Sequence, residues 1–207
     1  MNSIWHRLGS AFALLFLAST NVGAQAIDVK ALAEQLRQGG YVIVFRHGAT
    51  NRDQADTDPL NYDNVAKQRL LSAGGRDVAR QVGEAFKALQ IPIGRTYTSK
   101  FNRAVETGRL IAASDVTPTL DLTEGGLVAT PIENDRRAEA LRKLIATAPA
   151  PGTNTLVVTH KPNILDAFGK DWFEVREGEA SIFKPTASGK VDLVARLQAA
   201  DWLKAVK

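Results

Sequence analysis

Apolar positions along the chain fall into two kinds of pattern. YVIVF (41–45) and TLVVT (155–159) are short, almost uninterrupted apolar runs, which predict strands covered on both faces, as at the centre of a parallel sheet. Elsewhere apolar residues recur every three or four positions, the period of a helix with one buried face. Val29, Leu32 and Leu36 do so in DVKALAEQLRQGG, and Val78, Val82, Phe86 and Leu89 in SAGGRDVARQVGEAFKALQ. Further helices are predicted in NRAVETGRLIAA with Asn102 as its cap, in NDRRAEALRKLIATA, and in KPNILDAFG, where Pro162 occupies the first turn. RTYTS and TPTLDLT predict strands. ASIFKP and KVDLVARL flank TASG as the arms of a hairpin would, and AADWLKAV predicts a closing helix.

Strands that alternate with helices pair in parallel through right-handed crossovers, with helices on both faces of the sheet. The fold class expected is α/β: a three-layer α/β/α sandwich with a mostly parallel central sheet and a C-terminal β-hairpin, forming a single domain over 27–207. Residues 1–24 read differently. MNSIWHR carries one basic charge, LGSAFALLFLAST is apolar, and NVGA ends on small residues, the pattern of a secretory signal peptide cleaved after Ala24 or Ala26. Its apolar run is too short to span a bilayer comfortably. The expectation is a periplasmic or secreted protein with no stable membrane anchor after cleavage.

The remaining composition narrows the chemistry. The formal charge of +4 falls to +3 once Arg7 leaves with residues 1–24, too mild a balance to indicate nucleic acid as a partner. Without cysteine the chain has no disulfides and no thiolate metal site. Three histidines are present, and His6 lies within the predicted signal. The other two, His47 and His160, each follow one of the two most apolar strands. In a parallel sheet the carboxyl ends of strands are where ligands gather, so neighbouring strands would bring both imidazoles to one crevice. Two histidines are too few for a zinc centre, which takes three or four ligands, and no metal site is predicted.

Arg46 stands beside His47 at the end of a buried strand, where an unpaired guanidinium carries a desolvation cost of several kcal/mol. Phosphate matches its fork and charge. Arg46 and His47 would point to opposite faces in a regular strand, so the backbone must leave β geometry there, and Gly48 lets it approach a ligand closely. A second arginine, Arg103, is placed near the start of the helix after RTYTS, where the helix N-terminus adds positive potential. Arg95 and Arg109 read as solvated surface charges.

RHGAT, LLSAGGRDVARQVGEAF, TSKFNRAVETGRL and VVTHKPNI, in this order between Tyr41 and Ile164, resemble the histidine phosphatase superfamily, which includes the cofactor-dependent phosphoglycerate mutases. The resemblance implies a phosphoglycerate mutase-like fold and a phosphomonoester hydrolase acting on a small phosphorylated substrate without metal or organic cofactor. His47 would be the transiently phosphorylated nucleophile. Arg46, Arg103 and His160 would complete the phosphate pocket, with Thr50 and Asn51 as auxiliary contacts. A general acid should stand near His47. Glu124, expected at a strand end in TLDLTEGG, is the choice, with Glu133 and Asp135 in the following loop as competitors. Short loops imply an open pocket. The alternatives are a phosphomutase, or a phosphate or phosphosugar binding protein that keeps the pocket without turnover.

Overall fold

A computed structural model describes residues 28–125 and 128–207. The predicted signal peptide, its cleavage sites and Ile27 lie outside the described residues. Six strands form one sheet: β1 (Val42–Arg46), β2 (Ile93–Ser99), β3 (Thr117–Thr119), β4 (Asn154–Thr159), β5 (Ala180–Pro185) and β6 (Val191–Leu197). Their spatial order is β3-β2-β4-β1-β5-β6. β3, β2, β4 and β1 run parallel, and β5 and β6 are antiparallel additions beside β1. The sheet is therefore mixed, with the hairpin extending its parallel part. Six helices accompany it: α1 (Val29–Arg37), α2 (Ala73–Ala88), α3 (Asn102–Ala112), α4 (Pro131–Ala146), α5 (Lys161–Phe168) and α6 (Ala199–Ala205).

Period-two alternation on buried strands divides the core into two layers. Ile43 and Phe45 of β1, with Leu156 and Val158 of β4, pack against Leu36, Val82, Phe86 and Trp202 from α1, α2 and α6. Val42, Val44 and Val157 face the other way, onto Leu141 and Ile145 of α4 and Ile164 of α5. All four residues of Val42–Phe45 are essentially inaccessible. Each such side chain contributes about 1.5–3 kcal/mol of burial free energy, which fixes the register of the strand that leads to Arg46 and His47.

The structure corrects several local expectations. On α2 the buried stripe is Gly75, Ala79, Val82, Ala85 and Phe86, and Val78 is 37% exposed. Phe101, not Asn102, is the N-cap of α3; Asn102 is its first residue and donates its backbone N–H to Gln68 Oε1. Only Thr117–Thr119 of TPTLDLT pairs as a strand, because Leu120–Leu122 winds into a 3₁₀ turn. Glu124 thus follows that turn and does not end a strand. α4 begins at Pro131, capped by the Thr130 side chain on the Glu133 N–H, so Glu133 and Asp135 lie inside a helix, not in a loop before it.

Candidate active site

β1 and β4 are adjacent and parallel, with Arg46 opposite Thr159. His47 and His160 therefore emerge from the same sheet edge, both buried, with ring centroids 5.1 Å apart. The His47 N–H bonds the Thr159 carbonyl at 3.0 Å, while Gly178 donates to the carbonyls of Arg46 and His47. These bonds fix the turn out of β geometry. Gly48 is a close-approach position: a Cβ there would lie 3.1 Å from the Gly75 carbonyl oxygen, and one on Gly75 would lie 2.0 Å from that of Ala49. The Gly48 N–H donates to Thr107 Oγ1, which in turn donates to the Arg103 carbonyl, so α3 is locked to the same loop.

His47 Nδ1 lies 2.8 Å from the carbonyl of Gly48. A carbonyl only accepts, so Nδ1 carries the proton and the lone pair resides on Nε2. Burial, then the adjacent His160, then Arg103 and Arg46 hold the His47 pKa well below its ordinary 6.5, with the Gly48 carbonyl opposing. His160 is lowered likewise by burial and then by Arg103, Arg69 and Arg46. Both rings are neutral at neutral pH, the form an imidazole nucleophile needs.

Arg46 donates to the Val175 carbonyl at 2.8 Å and lies 3.6 Å from Glu177 Oε1. Arg103, fully buried, pairs with Asp56 at 3.0 Å and with Glu124. Its guanidinium stacks over the Phe101 ring, 4.2 Å from the centroid. The Nε atoms of both arginines and Nδ1 of His160 are buried without a hydrogen-bond partner among the described residues. Leaving such groups unmet costs about 1–3 kcal/mol each, and phosphate oxygens are the acceptors that guanidinium donors match best.

Glu124 completes the cluster, with Oε1 3.4 Å from His160 Nδ1. Its segment is held by Arg137 and Asn163, which donate to the Thr123 carbonyl, and by Thr159 Oγ1 on the Leu122 carbonyl. The competitors stand elsewhere. Glu133 is tied to Arg136 and Arg137, whose hydrogen bonds bring its pKa down to about 2, and Asp135 is exposed on α4 with its charge acting on Asp166.

Thr50 reaches the site differently from expectation: its hydroxyl donates to Glu177 at 3.0 Å, holding that carboxylate before Arg46. Asn51 donates to Gln54 Oε1 at 3.3 Å on the neighbouring loop and is not part of the cluster. Sequence reasoning missed Asp56, Arg69, Ser99 and Glu177. The first two and Glu177 come from loops without periodicity, and only Ser99, ending the TYTS run at the same sheet edge, had a positional signal. Among the described residues no group of three or more His, Asp or Glu is arranged to hold a metal ion.

Residues 42–126 match the sequence model of the histidine phosphatase superfamily, branch 1. Solved structures share the fold at low identity. The protein histidine phosphatase SixA in complex with tungstate is 20% identical, with a TM-score of 0.55 over 78% of this chain and 98% of that one. YhfR of Bacillus stearothermophilus is 16% identical, with a TM-score of 0.54 over 75% and 95%. A phosphoserine phosphatase from Entamoeba histolytica, in complex with 3-phosphoglyceric acid, is 16% identical, with a TM-score of 0.53 over 79% and 98%. No protein of curated function matches the sequence. Residues 42–126 thus carry the sequence signature of the histidine phosphatase superfamily, and the chain shares the fold of these solved structures.

Proposed function

We propose that the protein is a phosphomonoester hydrolase that works through a phosphohistidine on His47. The observation that carries this reading is the hydrogen bond from His47 Nδ1 to the Gly48 carbonyl, which directs the nucleophilic lone pair to Nε2 of a neutral ring set among Arg46, Arg103 and His160. Nε2 attacks phosphorus in line, the P–O ester bond breaks, and the arginines stabilise the charge on the equatorial oxygens. Glu124, freed as the phosphoryl group competes for Arg103, takes the proton of the monoanionic ester and passes it to the leaving alkoxide. Water then attacks phosphorus, giving its proton to the same carboxylate, and the P–N bond breaks to return neutral His47 and inorganic phosphate.

The Met1–Ala24 pattern supports a protein that acts outside the cytoplasm after signal cleavage, away from the phosphorylated intermediates a mutase would exchange. No helix among the described residues is long and apolar enough to cross a membrane.

The test is hydrolysis of 4-nitrophenyl phosphate in chelator, with vanadate as inhibitor, alongside quenching in alkaline detergent to trap acid-labile, base-stable phosphoprotein. Turnover that disappears in His47→Ala, together with loss of the trapped species, supports the hydrolase. Tight phosphate binding without turnover in the wild type would make it a binding protein, and wild-type rates in His47→Ala would remove the nucleophile.

A further inference from the structure

Beside Arg46 opens a cleft of about 390 Å³ whose lining includes Arg52, Arg69, Lys161 and Arg176. With Arg46 that makes five cations against two carboxylates, Glu174 and Glu177, and Glu177 is already engaged by Thr50 and Arg46. Several arginines elsewhere are neutralised locally: Arg76 by Glu106, Arg80 by Asp77, Arg142 by Glu139 and Arg196 by Glu179.

Among the described residues, the guanidinium groups with neither an ion pair nor a hydrogen bond are those of Arg52, Arg69, Arg109 and Arg176. Arg109 has the last turn of α3 to favour its charge. The other three line the cleft. Lys161 has only the face of Phe173, 4.6 Å from its ammonium. Arg69 is near enough to Arg46 and His160 to act on the charge of both. Like charges gathered without counter-charge repel one another, and an anion in their midst reverses the sign of that interaction.

The transferred phosphoryl group already has Arg46, Arg103 and the two histidines. We infer that Arg52, Arg69, Lys161 and Arg176 form a second anion subsite, so that the preferred substrate is a phosphoester bearing a further acidic group, a second phosphate or a carboxylate, a few bonds from the scissile one. This inference rests on the hydrolase reading for its reaction but not for its binding.

The experiment compares kcat/KM for glucose 6-phosphate, glucose 1-phosphate, glucose 1,6-bisphosphate and 6-phosphogluconate at low and high salt. The bisphosphate is expected to exceed both monophosphates by about tenfold or more, as one additional charge-assisted hydrogen bond provides, and the advantage should shrink as salt rises. Preference for 6-phosphogluconate over glucose 6-phosphate would identify a carboxylate as sufficient. In Arg52→Gln/Arg176→Gln, shown folded by its thermal transition, the ratio should collapse towards one. A wild-type ratio near one, or a ratio unchanged in the folded double variant, overturns the subsite. If no substrate turns over, including 4-nitrophenyl phosphate, the hydrolase reading fails. The subsite is then decided by calorimetric affinities for the same four compounds, with the same tenfold criterion.

Discussion

Ser99 Oγ, at the last position of β2, is hydrogen-bonded to His160 Nε2 at 2.7 Å. The hydroxyl also accepts the Phe101 N–H at 3.1 Å and donates to Thr123 Oγ1 at 3.3 Å. A strand-end serine thus ties the orientation of the second histidine to Thr123, the residue before Glu124. Ser99→Ala should leave a buried ring nitrogen unmet, at about 1–3 kcal/mol, and free the ring to change tautomer. The expected outcome is a fall of roughly tenfold in turnover with an altered ¹⁵N signature of His160. A changed rate with an unmoved signature would mean that Ser99 does not orient the ring.

Burial of both imidazoles couples stability to pH. In the unfolded chain they titrate near 6.5, while the folded pKa values lie well below that. Above 6.5 neither state binds these protons. As pH falls through 6.5 the unfolded state takes them up and the folded state does not, so stability is lost until the folded pKa values are reached, at up to about 1.4 kcal/mol per pH unit for each ring. Urea denaturation between pH 5 and 7.5 should show this slope, reduced in His160→Gln.

A bound dianion should reverse that coupling. Sulfate, which does not itself titrate near pH 6, favours the charged forms of the two rings beside it, so its binding at pH 6 is expected to take up protons. Calorimetry in two buffers of different ionisation enthalpy measures the number directly, and equal heats in both would refute it.

Glu124→Gln should slow alkyl phosphates far more than aryl phosphates in single-turnover measurements, by about 10²–10⁴ against little change, because aryl leaving groups depart without a proton. Equal slowing of both substrate classes would confine Glu124 to holding Arg103. Asp135→Asn, on the exposed side of α4, should leave both rates as they are.

Glu177 competes for Arg46 with any incoming phosphate. Glu177→Gln keeps an acceptor for Thr50 but removes the charge, so inorganic phosphate should bind more tightly, by several-fold at low salt and less at high salt. Unchanged affinity would mean that the carboxylate moves aside without cost.

The strands that carry the site were legible because uniform burial leaves a clear mark: YVIVF and TLVVT read as central, while their adjacency, a condition in the sequence, is supplied by the pairing of β1 with β4. His47, His160, Arg46 and Arg103 could be placed because each sits within a few residues of a strand end or helix start. The site's acids were less legible. Glu124 does stand against Arg103 and His160, but TPTLDLT reads as one strand in pattern while its middle winds into a 3₁₀ turn, and Pro131 started α4 earlier than the apolar period suggested. Asp56 and Glu177 come from segments with no periodicity, and their positions are set by the arginines they meet. Such long-range ion pairs have no local signature. The contact between Thr50 and Glu177 was illegible for the same reason, since the partner lies 127 residues away.

β1 leads into His47, yet both of its sheet neighbours, β4 and β5, come from the last third of the sequence. Ordering the strand requires loops of more than a hundred residues to close, which is entropically slow. During synthesis the N-terminal half, with Arg46, His47 and Arg103 already made, has no partner for β1 and must wait with an apolar strand unpaired on both edges. A chain cut before Asn154 would leave it there, so β1 cannot be ordered on either edge until β4 and β5 have been made.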